Sequence, residues 1–142
     1  MFTGEYRHTI DAKGRVAVPA RFRADLEAGA HVSRWIDNCV AIFPNGEWQK
    51  LADGVADLRF ADSGARAFSR FIFSGAYEVE LDKQGRLVLP ATLREFAHLG
   101  SDVIVAGAGQ HIELWPPERW AEYSAELSNP EVLATRIGDL GI

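Results

Sequence analysis

Polar and apolar residues alternate along the opening stretch of the chain, and the same alternation returns 71 residues later. Tyr6, His8 and Ile10 sit at every second position, with Arg7 and Thr9 between them, and Tyr77, Val79 and Leu81 alternate in the same way with Glu78 and Glu80. A period of two with one apolar face predicts a half-buried β-strand. In each copy the strand meets Asp-x-x-Gly-Arg, Asp11 to Arg15 and Asp82 to Arg86. Asp11 and Asp82 can accept backbone N–H bonds in a turn, and Gly14 and Gly85 can supply a positive φ. A return strand with Val16 and Val18 inward, or Leu87 and Leu89, completes a predicted hairpin. Pro19 and Pro90 then predict short helices over Ala20 to Leu26 and Ala91 to Leu99, because proline suits the first turn of a helix and not a central strand.

The pattern continues as a second hairpin and a closing helix in each copy. His31 to Ile36 and Cys39 to Phe43 read as strands around the Asp37-Asn38 turn, followed by a helix from about Glu47 that buries Trp48 and Leu51. Asp102 to Ala106 and His111 to Trp115 repeat them around Gly107-Ala108-Gly109, and Pro116-Pro117 opens a helix on which Trp120 answers Trp48. Ala52 to Phe73 is too apolar for a flexible tether and predicts packed helix, interrupted at Asp62-Ser63-Gly64. From Ser128 onward, Pro130 followed by Val132, Leu133, Ile137 and Leu140 predicts one more helix, whose docking partner the spacing leaves open. The division implied is a first module at 1–51, a helical linker at 52–74, a second module at 75–125 and a tail at 126–142. Modules of about 50 residues are marginal alone, so the two should share one core.

Composition narrows the function classes. With 142 residues and 47% apolar content, the chain is sized for one ordinary core or two very small ones. It contains no run of 18 apolar residues and no amino-terminal charged segment leading into an apolar one, so neither a membrane span nor a signal peptide is expected. The single Cys39 fits a reducing cytoplasm and reads as a buried small hydrophobe. Four scattered histidines lack metal-ligand spacing, and no nucleophile-elbow or phosphate-loop signature occurs, so neither catalytic nor metal-binding residues nor a cofactor are expected.

Net charge is −5, which by itself disfavours a polyanionic partner. The total hides an asymmetry, since Thr3 to Arg23 carries a balance of +3 and Ser74 to Arg94 a balance of zero. Arg7, Thr9 and Lys13 of the first copy become Glu78, Glu80 and Gln84 in the second. The residue pattern therefore places nucleic-acid contact on Arg15, Arg7 and Lys13, with Arg21 as a weaker candidate. Asp11, Gly14, Asp82, Gly85 and Arg86 are read as turn and framework residues.

Eight of the twenty aligned positions in the two phrases are identical: Gly4/Gly75, Tyr6/Tyr77, Asp11/Asp82, Gly14/Gly85, Arg15/Arg86, Pro19/Pro90, Ala20/Ala91 and Arg23/Arg94. The Asp-x-x-Gly-Arg turn followed by apolar-x-apolar-Pro resembles the SpoVT-AbrB domain, and the tandem arrangement resembles the MraZ family of bacterial transcriptional regulators. The resemblance implies a mainly β, α+β fold of tandem swapped-hairpin modules forming a pseudo-symmetric double-split β-barrel. It further implies a non-enzymatic regulator that binds double-stranded DNA at promoter direct repeats and represses its own division and cell-wall gene cluster. A ring-shaped homo-oligomer in the cytoplasm, associated with the nucleoid and using Arg15 for DNA contact, is part of the same expectation. The competing expectation is a protein-binding module of antitoxin type.

Overall fold

A computed structural model describes residues 1–141. In chain order the elements are β1 (Glu5–Thr9), β2 (Arg15–Ala17), α1 (Ala20–Arg23) with a 3-10 turn at Ala24–Leu26, β3 (Ala30–Arg34), β4 (Val40–Pro44) and α2 (Asn45–Ala56). After α3 (Ser63–Ser74), the second copy supplies β5 (Ala76–Val79), β6 (Arg86–Val88), α4 (Ala91–Phe96), β7 (Asp102–Gly107), β8 (Ile112–Trp115) and α5 (Pro117–Leu127), and α6 (Pro130–Ile137) follows. The architecture is α+β. A six-stranded antiparallel sheet runs β1-β7-β8-β4-β3-β5, and a separate two-stranded ribbon pairs β2 with β6.

Exchanging each strand for its counterpart in the other copy maps that order onto its own reverse, so the sequence repeat becomes a structural pseudo-twofold. Its consequence is that the copies are interlocked. β1 pairs with β7 from Glu5↔Ala106 to Thr9↔Asp102, and β5 pairs with β3 from Ala76↔Ser33 to Val79↔Ala30. The local hairpin expected between the first two strands of each copy is thereby corrected. Within the first copy only the Ile10↔Val16 bridge survives, and β2 leaves to pair with β6. Periodicity records which face is buried but not which strand lies alongside, and here Val16 and Leu87 both reach the shared core by crossing over. Among the described residues hydrogen bonding does not close a barrel, since the large sheet ends at β1 and β5.

The sheet is covered on both faces. On one side, Phe22, Leu26, Val32 and Ile42 of the first copy pack with Leu87, Leu89, Leu93, Val103, Ile112 and Leu114 of the second. On the other, Ala41, Phe43, Trp48 and Ile72 form a smaller cluster with Trp35, Phe68 and Phe71 under α2 and α3. Burial on both faces explains the unbroken apolar run in β4. Cys39, immediately before β4, is fully buried, and burial pushes its thiol well above the ordinary range, as the packing reading anticipated.

One connection differs from expectation, and another fills a point that the spacing left open. Asp62-Ser63-Gly64 starts α3 instead of interrupting a helix: the Asp62 side chain accepts the Gly64 N–H at 2.8 Å, an N-cap, and the chain breaks over 57–62. The carboxy-terminal helix lies on α5, where Arg136 bonds Glu126 at 3.1 Å and stands over the Tyr123 ring. Among the described residues no helix is long and apolar enough to cross a membrane.

Candidate nucleic-acid interface

Both Asp-x-x-Gly-Arg turns fold identically. The Asp11 N–H donates to the Arg15 carbonyl at 3.0 Å, and the Gly14 N–H donates back to the Asp11 carbonyl at 2.9 Å. Asp11 Oδ1 accepts the Lys13 and Arg15 amides, each at 2.9 Å, and Oδ2 accepts Arg15 Nε at 2.6 Å. In the second turn Asp82 receives Gln84, Arg86 and Arg86 Nε in the same way, all at 2.9 Å. Gly14 and Gly85 close the turns at φ values of 82° and 76°. Each carboxylate thus uses one oxygen to organise the backbone and the other to aim an arginine.

The ribbon register decides where those arginines point. Arg15 lies opposite Val88, Val16 opposite Leu87, and Ala17 opposite Arg86. Val16 and Leu87 face the core, so Arg15, Ala17, Arg86 and Val88 share the outer face. Each turn is also locked by the other copy: the Leu89 N–H donates to the Gly14 carbonyl at 2.7 Å and the Val18 N–H to the Gly85 carbonyl at 3.0 Å. A Cβ at Gly14 would come 2.9 Å from the Leu89 carbonyl and 3.3 Å from the Arg94 guanidinium, and one at Gly85 would collide with Arg23. Arg23 and Arg94 donate to the Val18 and Leu89 carbonyls at 2.9 and 3.2 Å. Their recurrence in both copies was the sequence signal for this clamp, whereas the contact with the opposite turn had none.

The surroundings of the two turns differ in charge. Lys13 is exposed with no carboxylate within 4.0 Å among the described residues, and its counterpart is the neutral Gln84. The Arg7 side chain is 64% exposed and lies 3.6 Å from Asp102. At the equivalent place, Glu78 lies 3.8 Å from His31, its direct partner across β5 and β3. Each side chain of the Arg7/Glu78 exchange thus has a polar neighbour on the adjacent strand, Asp102 diagonally across from Arg7 and His31 directly opposite Glu78, contacts invisible from the phrases alone. Arg21 donates to the Tyr6 hydroxyl at 3.0 Å, and in the second copy Tyr77 and Thr92 share a hydrogen bond at 3.2 Å. His8 is half-buried, and burial together with Arg23 lowers its pKa.

The backbone N–H of Arg15 is the main cause that holds Asp11 below the ordinary carboxylate range, and that of Arg86 does the same for Asp82. A depressed folded-state value means that the turns gain stability above the unfolded carboxylate pKa, about 4. This contribution is lost as pH falls through the folded value. An Asp11→Asn, Asp82→Asn double variant, which keeps Oδ1 as an acceptor but cannot titrate, is expected to show a shallower stability loss below about pH 4 than the parent. Denaturant melts across pH 2.5–6, about the range in which these carboxylates titrate, measure the difference.

Elsewhere, His111 Nε2 meets Glu113 Oε2 at 2.9 Å while Glu113 Oε1 accepts Trp115 Nε1 at 3.0 Å. These bonds hold Glu113 below its usual range although burial pushes the other way. Among the described residues no three His, Cys, Asp or Glu side chains are placed to share a metal ion.

Two strand-exchanged modules presenting a pair of Asp-braced arginines on a common ribbon define a twinned α+β protein whose exposed chemistry is cationic at one end of that ribbon. A family model described as "MraZ protein, putative antitoxin-like" matches residues 1–71 and again 72–138. The "Transcriptional regulator MraZ" of Moorella thermoacetica is 46% identical over 143 residues, covering 100% of both chains. Proteins of the same name from Roseiflexus castenholzii and Heliobacterium modesticaldum are 45% identical over 141 residues, covering 99% of both chains, and 48% identical over 124 residues, covering 87% of both. The chain belongs to the MraZ family.

Proposed function

We propose that this chain is a sequence-specific DNA-binding transcriptional regulator acting in the bacterial cytoplasm on nucleoid DNA. The observation that carries the reading is the cationic end of the ribbon. There Asp11 fixes Arg15, Lys13 is exposed in the same turn and Arg7 lies on the adjoining strand, while the opposite end carries Gln84, Glu78 and Glu80. The relatives' shared name, transcriptional regulator, supports it. The first module, 1–51, makes the principal contact with Arg15, Lys13, Arg7 and, more weakly, Arg21. The second, 75–125, is chiefly framework, joined through the helical linker 52–74 and followed by the tail 126–142. Exchange of strands between the copies supports the swapped-hairpin, double-split barrel description of this fold.

A site of three or four cations on an acidic chain binds weakly alone, so a homo-oligomer presents several equivalent ribbons to one duplex. A closed ring meeting direct repeats upstream of its own gene, and repressing its division and cell-wall cluster by covering the promoter, is the arrangement this multivalency suits. The antitoxin-type alternative has the family's description as antitoxin-like in its favour. Against it, the second half is spent on another folded copy, and antitoxins commonly wrap their partner with an unfolded segment.

Binding to the chain's own upstream duplex across a salt series tests the proposal. Three phosphate contacts per protomer give a slope of log affinity against log salt of roughly −3 for each engaged protomer, at about −0.9 per neutralised phosphate. No binding at low salt refutes it.

A further inference from the structure

Phosphate attraction accounts for the cations on the ribbon but not for the valine between them. Val88 is 55% exposed on the outer face, while Leu87 and Leu89 beside it are buried. Its counterpart in the first copy is Ala17, so the two ends of the face are unequal: Val88 stands opposite Arg15, and Ala17 opposite Arg86. Directly opposed side chains in an antiparallel pair lie about 5 Å apart at Cβ. The larger apolar group therefore sits beside Arg15 at the cationic end, and it is contributed by the other copy.

We infer that Val88 is a base-reading residue that packs against the C5-methyl group of a thymine in the major groove, next to the base pair reached by Arg15, an inference that rests on the DNA-binding reading above. A two-stranded ribbon fits the major groove, where thymine alone among the four bases presents a methyl group, and apolar side chains recognise it by contact. Asp11 holds Arg15 by Nε at 2.6 Å, which fixes the guanidinium plane and leaves its terminal nitrogens for a base edge. Val88, with its χ1 restricted by branching at Cβ, is a rigid neighbour to that arginine. Arginine and valine form one reading head split between the copies. The second copy, framework in its charges, thus supplies a specificity determinant.

Replacing thymine by uracil removes this methyl and leaves base pairing intact. The experiment uses the full chain with its own upstream duplex, thymines exchanged for uracil one position at a time. The parent is expected to lose affinity by roughly four-fold at one thymine position, the worth of one buried methyl-sized group. Val88→Ala should bind the thymine duplex more weakly by a similar factor for each engaged protomer, become indifferent to uracil at that position, and keep the parent's salt slope. A parent indifferent to uracil at every position, or a Val88→Ala variant as sensitive as the parent, overturns the inference while salt-dependent binding leaves the DNA reading standing. Absence of binding to any duplex at low salt removes both. Val88→Thr, which keeps the branched shape and strand preference, checks that losses do not come from unfolding.

Discussion

Arg15→Ala is expected to remove most DNA binding while leaving the melting transition close to that of the parent. The structural cost is small. The Arg15 side chain is 32% exposed, and its pair with Asp11 lies at the surface, where solvent screening leaves such a pair little net worth. Both backbone amides that Asp11 Oδ1 accepts remain in place, so the turn keeps its shape. The functional cost is large, because one well-formed arginine contact to a base pair is worth about 1–3 kcal/mol, roughly 5- to 150-fold in affinity. Loss at every engaged protomer multiplies that factor. Arg86→Ala should cost less. Arg86 has the same bond to its aspartate and 30% exposure, but its end of the ribbon carries Gln84 in place of Lys13, and β5 adds Glu78 and Glu80. Fluorescence anisotropy on the upstream duplex, paired with thermal melts, separates the two outcomes. Equal loss from both variants with the fold retained would show that the two ends of the ribbon contribute alike.

Much of this division was legible in the sequence because it depends on local chemistry. An aspartate three residues before a glycine and four before an arginine specifies one turn whatever lies around it, and both turns form as that spacing predicts. Pro19 and Pro90 mark α1 and α4 because proline's restrictions are local too. What could not be read was the choice of strand partner. Tyr6 and His8 point inward as their period requires, yet nothing in the period distinguishes β2 from β7 as the neighbour of β1. From that choice follow the facts that most affect the site: Val88 opposite Arg15, Arg94 against Gly14, and Arg7 within reach of Asp102. The charge exchange at Arg7 and Glu78 consequently has two physical sources, attraction to phosphate and pairing across the sheet, and only the first was visible from the repeated phrases. Lys13, with no such partner among the described residues, is the cleaner mark of a polyanion surface.

The same exchange of strands predicts that neither half of the chain folds as a monomer. In a fragment of residues 1–74, β1 loses all of β7, β3 loses β5, and β2 loses β6, leaving the Ile10↔Val16 bridge and the bonds within the Asp11–Arg15 turn as the links between β1 and β2. Val16, Val18, Phe22 and Leu26 lose Leu87, Leu89, Leu93 and Val103 from the same cluster. A fragment 75–142 is deprived in the mirror sense. Both are at or below the size, about 70–80 residues, at which a lone core rarely supplies more than about 3–5 kcal/mol, and here each core is also cut in half. The only folded state open to one fragment is a pair in which a second copy supplies the counterpart strands, because the pseudo-twofold makes β3 the counterpart of β7 and lets β2 pair with itself. Each fragment alone should therefore be unfolded or dimeric by sedimentation, and an equimolar mixture should regain one cooperative melting transition in circular dichroism. A folded monomer of residues 1–74 would mean that β1 and β2 close locally after all. The ribbon that sets Val88 beside Arg15 would then not be required for either turn to stand.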